Sequence, residues 1–181
     1  MRFPPLKPED FSADQRRVAA EIVSGPRGEL RGPFVPLIYS PALASNVQKL
    51  GEYLRFGTRL PNALLELAVL VTARRFGCPN IWHSHRALAL KAGLAPAIIA
   101  AIATDRRPEP MSDDEAAVFC FASQLVGDLA VGDRVFDRVV ARWDRATAID
   151  LAGLCGYYTL LAMVLNTARV PLPDGAEPFQ P

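Results

Sequence analysis

Apolar positions recur at helical spacing along nearly the whole chain, and no run of β-branched residues alternates with polar ones as a strand would. The spacing predicts helices over 13–24, 42–57, 61–76, 80–92, 96–103, 113–127, 132–143 and 147–167. Several ends are marked by chemistry. Ser12 with Gln15, and Ser112 with Glu115, have the spacing of capping boxes, in which side chains satisfy the free amides of a first helical turn. Pro61 suits a first turn, and Gly77-Cys78-Pro79-Asn80 interrupts the pattern between two helices. The stretch GPRGELRGPFVPLIYSP is too rich in glycine and proline for a helix. It is also too apolar at Phe34, Val35, Leu37, Ile38 and Tyr39 to be solvated. It is expected to lie against the helices and close over something, as long ordered loops at binding sites do. The proline-rich end, residues 173–181, is expected to be an extended tail. The pattern is that of an all-α protein.

Composition narrows the reading further. A chain of 181 residues, half of them apolar, is expected to form a single domain with a real core. With a net charge of +1 and both signs interspersed, it has no electrostatic footprint for nucleic acid and no polybasic membrane patch. The start, MRFPPLKPEDF, does not read as a signal peptide, and the longest uninterrupted apolar run is short, so a cytoplasmic protein is expected. The three cysteines, Cys78, Cys120 and Cys155, are widely spaced and include no CxxC pair, which is neither a disulfide framework nor a zinc site.

Chemistry concentrates in ELAVLVTARRFGCPNIWHSH, residues 66–85. This segment holds both histidines of the chain, His83 and His85, together with Cys78 and Glu66. Glu66 lies within an apolar helical pattern, where an ionised carboxylate needs a partner. In a helix starting near Asn80, Ile81 and His85 share a face, while His83 points about 200° round from Ile81. The two histidines are therefore not expected to grip one metal, and no metal or other cofactor is expected.

The spacing Glu66, Cys78, His85 resembles the alkylhydroperoxidase D-like motif E-x11-C-x2-C-x3-H. The broader sequence is similar to the carboxymuconolactone decarboxylase-like family over roughly residues 30–172. The resemblance lies in RFGTRLPNALLELAVLVTAR, in Trp82 and His85, in ALKAGL, in DDEAAV and in GYYTLLAMVLN. It implies an alkylhydroperoxidase D-like helical bundle that assembles with copies of itself, as a trimer, hexamer or dimer. One departure changes the chemistry. Where the peroxidase motif has its second, peroxidatic cysteine, this chain has Ile81, which cannot be oxidised or accept a proton. Decarboxylase-like relatives carry an acid there, and it is missing as well.

Glu66 and His85 remain, and they form a sensible general acid–base unit: the carboxylate fixes the imidazole tautomer, and imidazole titrates near working pH. Such a unit suits a cofactor-free lyase of decarboxylase type, or an isomerase, acting on a small carboxylate or lactone. His83 is a candidate second acid or substrate ligand, or else a surface residue. Trp82, Ile81, Tyr157 and Phe34 are candidate pocket-lining residues, alongside Leu37 and Tyr158, although aromatic residues at helical spacing are most often core. Two other readings stay open. Cys78, at a helix start where amide dipoles favour a thiolate, would serve a one-cysteine peroxidase. Alternatively the site has decayed, leaving an oligomeric binding protein whose pocket Ile81 and Trp82 plug.

Overall fold

A computed structural model describes residues 1–180. At its centre is a helix, α4 (Asn62–Arg75), in which every residue from Leu64 to Ala73 is buried. A helix apolar on all sides has no solvent face to present and must be surrounded. The surrounding helices are α5 (Pro79–Lys91), α6 (Pro96–Ala103), α7 (Asp113–Asp128) and α9 (Arg145–Ala168), all of which pack on α4. An outer layer adds α1 (Ala13–Ser24) on α3 (Pro41–Phe56), α3 on α9, and α8 (Asp133–Arg142) bridging α7 and α9. No strand occurs among the described residues, and the protein is an all-α bundle.

Every helix expected from the spacing is present, with ends displaced by no more than two residues. Both capping boxes form: the Ser12 and Ser112 hydroxyls accept the Gln15 and Glu115 amides, and those side chains accept the serine amides in return. The loop from Gly25 differs from expectation in one respect. A single helical turn, α2 (Phe34–Leu37), closes it, and its buried Phe34, Pro36 and Leu37 anchor it against α3 and α9. Pro33 and Pro36 allow this because a lone turn needs few internal amide donors.

The tail also departs from the expected extended form by folding back over Trp82. The Trp82 indole Nε1 donates to the Gln180 carbonyl at 2.8 Å, and Phe179 stands edge-on to Trp82 at 5.8 Å. Arg74 stacks over the Phe179 ring. Arg74 and Arg75 donate to free carbonyls at the ends of neighbouring helices, Ala103 of α6 and Val126 of α7. The Asn166 amide is similarly used, bonding the Phe76 carbonyl at the α4–α5 junction.

By length and composition α9 is long and apolar enough to cross a bilayer, which the short uninterrupted runs had not suggested. In the bundle it packs against α3, α4, α7 and α8, and half of its most apolar stretch is buried within the protein. Its Cys155 is almost wholly buried, and burial pushes the thiol up to about 11, partly offset by the Thr72 hydroxyl. The folded state therefore holds this proton more tightly than the unfolded chain does. The resulting stability is complete below pH 9 and is lost as pH rises towards 11, at a cost of about 2–3 kcal/mol. Urea unfolding of Cys155→Ala should lack this part of the alkaline loss, and identical pH dependence in both proteins would refute the assignment.

Candidate active site

Glu66 and His85 come from neighbouring helices, α4 and α5, connected by the tight Gly77-Cys78 turn in which Gly77 takes a positive φ. The carboxylate sits on the buried helix because α4 has no exposed face to offer it, and its burial demands a partner. His85 supplies one: Nδ1 lies 2.6 Å from Glu66 Oε2, with the two residues 8% and 6% exposed. With the carboxylate ionised, Nδ1 carries the proton and donates. Nε2 is then left with no hydrogen-bond partner among the described residues. The edge of the imidazole meets the Tyr158 ring at 4.9 Å, which fixes its tilt.

His85, with Glu66 behind it, lies on the wall of a cavity of about 780 Å³, within the range of about 300–1,000 Å³ typical of small-molecule sites. The floor is apolar: Phe34 of α2, Ile81 of α5, and Leu161 and Leu165 of α9. The rim is polar and mostly cationic. Arg27 and Arg31 come from the loop before α2 and Arg55 from the last turn of α3, with Glu29 the one acid. Glu29 is already paired to Arg31 at 3.1 Å. A mouth with excess positive charge draws in anions.

The expected site residues divide between this cavity and the core behind it. Glu66 and His85 meet, and Ile81 and Phe34 face the cavity. His83 is exposed and sits at the mouth, one turn from Asn80 and Ala87, so it borders the same space without touching the Glu66 pair. Trp82 and Tyr157, expected as lining residues, do not line it. Trp82 points the other way and is covered by the tail. The Tyr157 hydroxyl accepts from Arg27 at 2.9 Å, and its ring stands perpendicular to Tyr158. The cavity is thus open, and neither Ile81 nor Trp82 plugs it.

Cys78 is fully buried and absent from the cavity wall. Burial raises its thiol above the ordinary range, and the facing amides of Ile81 and Asn80 only partly oppose this. The helix-start argument for a thiolate therefore fails here, because desolvation outweighs the amide dipoles.

Several lining residues were not singled out from the sequence. Arg27 and Arg31 lie in a glycine-rich loop that looks solvated until its path is known. Arg27 is held by Gln48 Oε1 at 3.1 Å, by the Tyr157 hydroxyl, and by stacking 4.5 Å above Phe34. Tyr158 was named beside Tyr157 as a candidate, and only the phase of α9 in the bundle decides that Tyr158 is the one on the wall. The apolar GYYTLL pattern did not give that phase.

Residues 41–122 match the family model described as Carboxymuconolactone decarboxylase family. That segment contains both Glu66 and His85, and over it the chain is similar to the carboxymuconolactone decarboxylase family. The match is narrower than the resemblance read from the sequence, and it leaves out Arg27, Phe34 and all of α9. No curated protein matches the chain.

Proposed function

We propose that the protein is a lyase of decarboxylase type acting on a small carboxylate or lactone acid, with Glu66 and His85 as its proton-transfer pair. The similarity of residues 41–122 to the carboxymuconolactone decarboxylase family supports decarboxylase-like chemistry in general terms. The observation that carries the finer reading is that His85, held by Glu66 at 2.6 Å, lines a large cavity whose rim is cationic.

The chemistry follows from the geometry. A β,γ-unsaturated lactone acid loses carbon dioxide when its carboxylate C–C bond breaks and the electron pair moves into the conjugated carbonyl, giving a dienolate. That dienolate must then receive a proton at carbon. His85 delivers it from Nε2 as imidazolium, which the Glu66 carboxylate stabilises through Nδ1–H, and solvent restores the proton. The apolar floor holds the ring. It also strengthens electrostatic interactions by keeping water from the developing charge. The same pair would move a proton next to a carbonyl in an isomerisation.

The test is to incubate the protein with a series of unsaturated lactone acids and follow carbon dioxide release and substrate spectra. Turnover of a member of that series is expected. Inertness towards the whole series, together with peroxide consumption that depends on Cys78, would reject this reading in favour of a thiol peroxidase.

A further inference from the structure

Tyr158 is 2% exposed, yet its side chain forms part of the cavity wall. A buried tyrosine hydroxyl ordinarily finds a partner, because leaving it unmade forfeits its hydration for nothing. The Tyr158 hydroxyl has none among the described residues. It is not sealed away either: the one sealed, unpartnered side-chain nitrogen or oxygen among those residues is Arg86 Nε. The hydroxyl therefore opens on the cavity, on the ring that meets His85 edge-on at 4.9 Å. Its neighbour shows what a satisfied tyrosine looks like in the same helix, since the Tyr157 hydroxyl is occupied by Arg27.

From this placement we infer that Tyr158 is a substrate ligand, its hydroxyl donating a hydrogen bond to a carboxylate or enolate oxygen of a molecule bound beside His85. The inference rests on the reading of the cavity as a site for a small carboxylate, and it assigns the donor that holds the anion. Two features suit the role. Burial raises the phenol well above its ordinary range, despite the opposing charges of Arg55 and Arg27, so it stays a neutral donor at any working pH. Its direction is fixed by perpendicular ring contacts on two sides, with His85 and with Tyr157 at 5.3 Å. A donor that need not reorganise is the kind that stabilises charge as it develops. Arg55, on the rim of the same cavity, adds the positive charge. Both Tyr158 and its Tyr157 buttress lie outside the segment matched to the family.

Tyr158→Phe keeps the ring that packs on His85 and removes only the hydroxyl, and it should melt near the wild-type temperature. The probes are benzoate, a planar carboxylate, and benzyl alcohol, its uncharged counterpart, titrated by calorimetry or NMR. Benzoate should bind the wild type and bind Tyr158→Phe about tenfold or more weakly, as expected for loss of a hydrogen bond to a charged group. Benzyl alcohol binding should be nearly unchanged. Equal benzoate affinity in the two proteins, equal weakening of both probes, or no benzoate binding to the wild type would each overturn the assignment. These results are separable from the fate of the proposed reaction. A Tyr158-dependent benzoate site in a protein inert to lactone acids would uphold the ligand and reject the lyase.

Discussion

Replacing His85 with alanine should lower kcat/KM on a turned-over lactone acid by about 10²- to 10⁴-fold, the usual contribution of a positioned acid–base group. The imidazole lines the cavity with Nε2 free of any partner among the described residues while Nδ1 is held by a carboxylate. Cys78→Ala should leave turnover within a few-fold of wild type, because that thiol is buried, absent from the wall and held protonated. The His85 change also strands a buried carboxylate. Truncating one member of a buried pair costs about 3–5 kcal/mol when the survivor stays charged, so a drop in melting temperature should accompany the loss of rate. Glu66→Gln separates the two effects. It keeps an acceptor for Nδ1 and removes the charge, so rate should fall more than stability. Steady-state kinetics and thermal melts of the three variants decide the matter.

The second large effect is expected far from any reacting atom. Gly51 lies buried in the middle of α3, directly beneath the Tyr157 hydroxyl. A Cβ there would stand 2.1 Å from Tyr157 Oη, 2.4 Å from its Cζ and 2.5 Å from the Arg27 guanidinium. Arg27 can swing aside, but Tyr157 is buried against Tyr158 and cannot. Gly51→Ala gains about 1 kcal/mol in helix propensity. It loses more, because moving a packed ring by an ångström belongs at or beyond the top of the roughly 1–3 kcal/mol range for overpacking. A net loss of about 2 kcal/mol is expected, lowering the melting temperature by about 4–8 °C. The displaced Tyr157 should also tilt Tyr158 and with it the imidazole, so catalysis should suffer beyond the loss of folded protein. A Gly51→Ala protein as stable as wild type would mean that the ring is loosely held.

What the sequence revealed, and what it hid, follow from the range of the interactions concerned. Helix ends at Ser12, Ser112 and Gly77 are written within a few residues, so they were legible. The Glu66–His85 meeting was legible because two adjacent helices joined by a tight turn bring those positions together. Tyr157 and Tyr158 could not be told apart, because adjacent residues on a helix face different ways and only packing of α9 on α3 and α4 chooses between them. Trp82 was misplaced for a similar reason: the Phe179-Gln180 segment that covers it lies nearly a hundred residues away. Cys78 misled because local amide geometry is visible in a sequence, whereas the burial that overrides it is not. The cationic rim was hidden in a loop whose course depends on Arg27 reaching Tyr157.

The most direct measurement of the account is solvent hydron transfer. A lactone acid turned over in deuterium oxide by the wild type should yield product carrying one solvent deuteron at the carbon protonated after carbon dioxide leaves, seen by NMR. Under the same conditions Glu66→Gln and His85→Ala should form that product hundreds of times more slowly, whereas Cys78→Ala should match the wild type. Undiminished deuterium delivery by His85→Ala would show that the proton comes from elsewhere and that the imidazole on this cavity wall is structural.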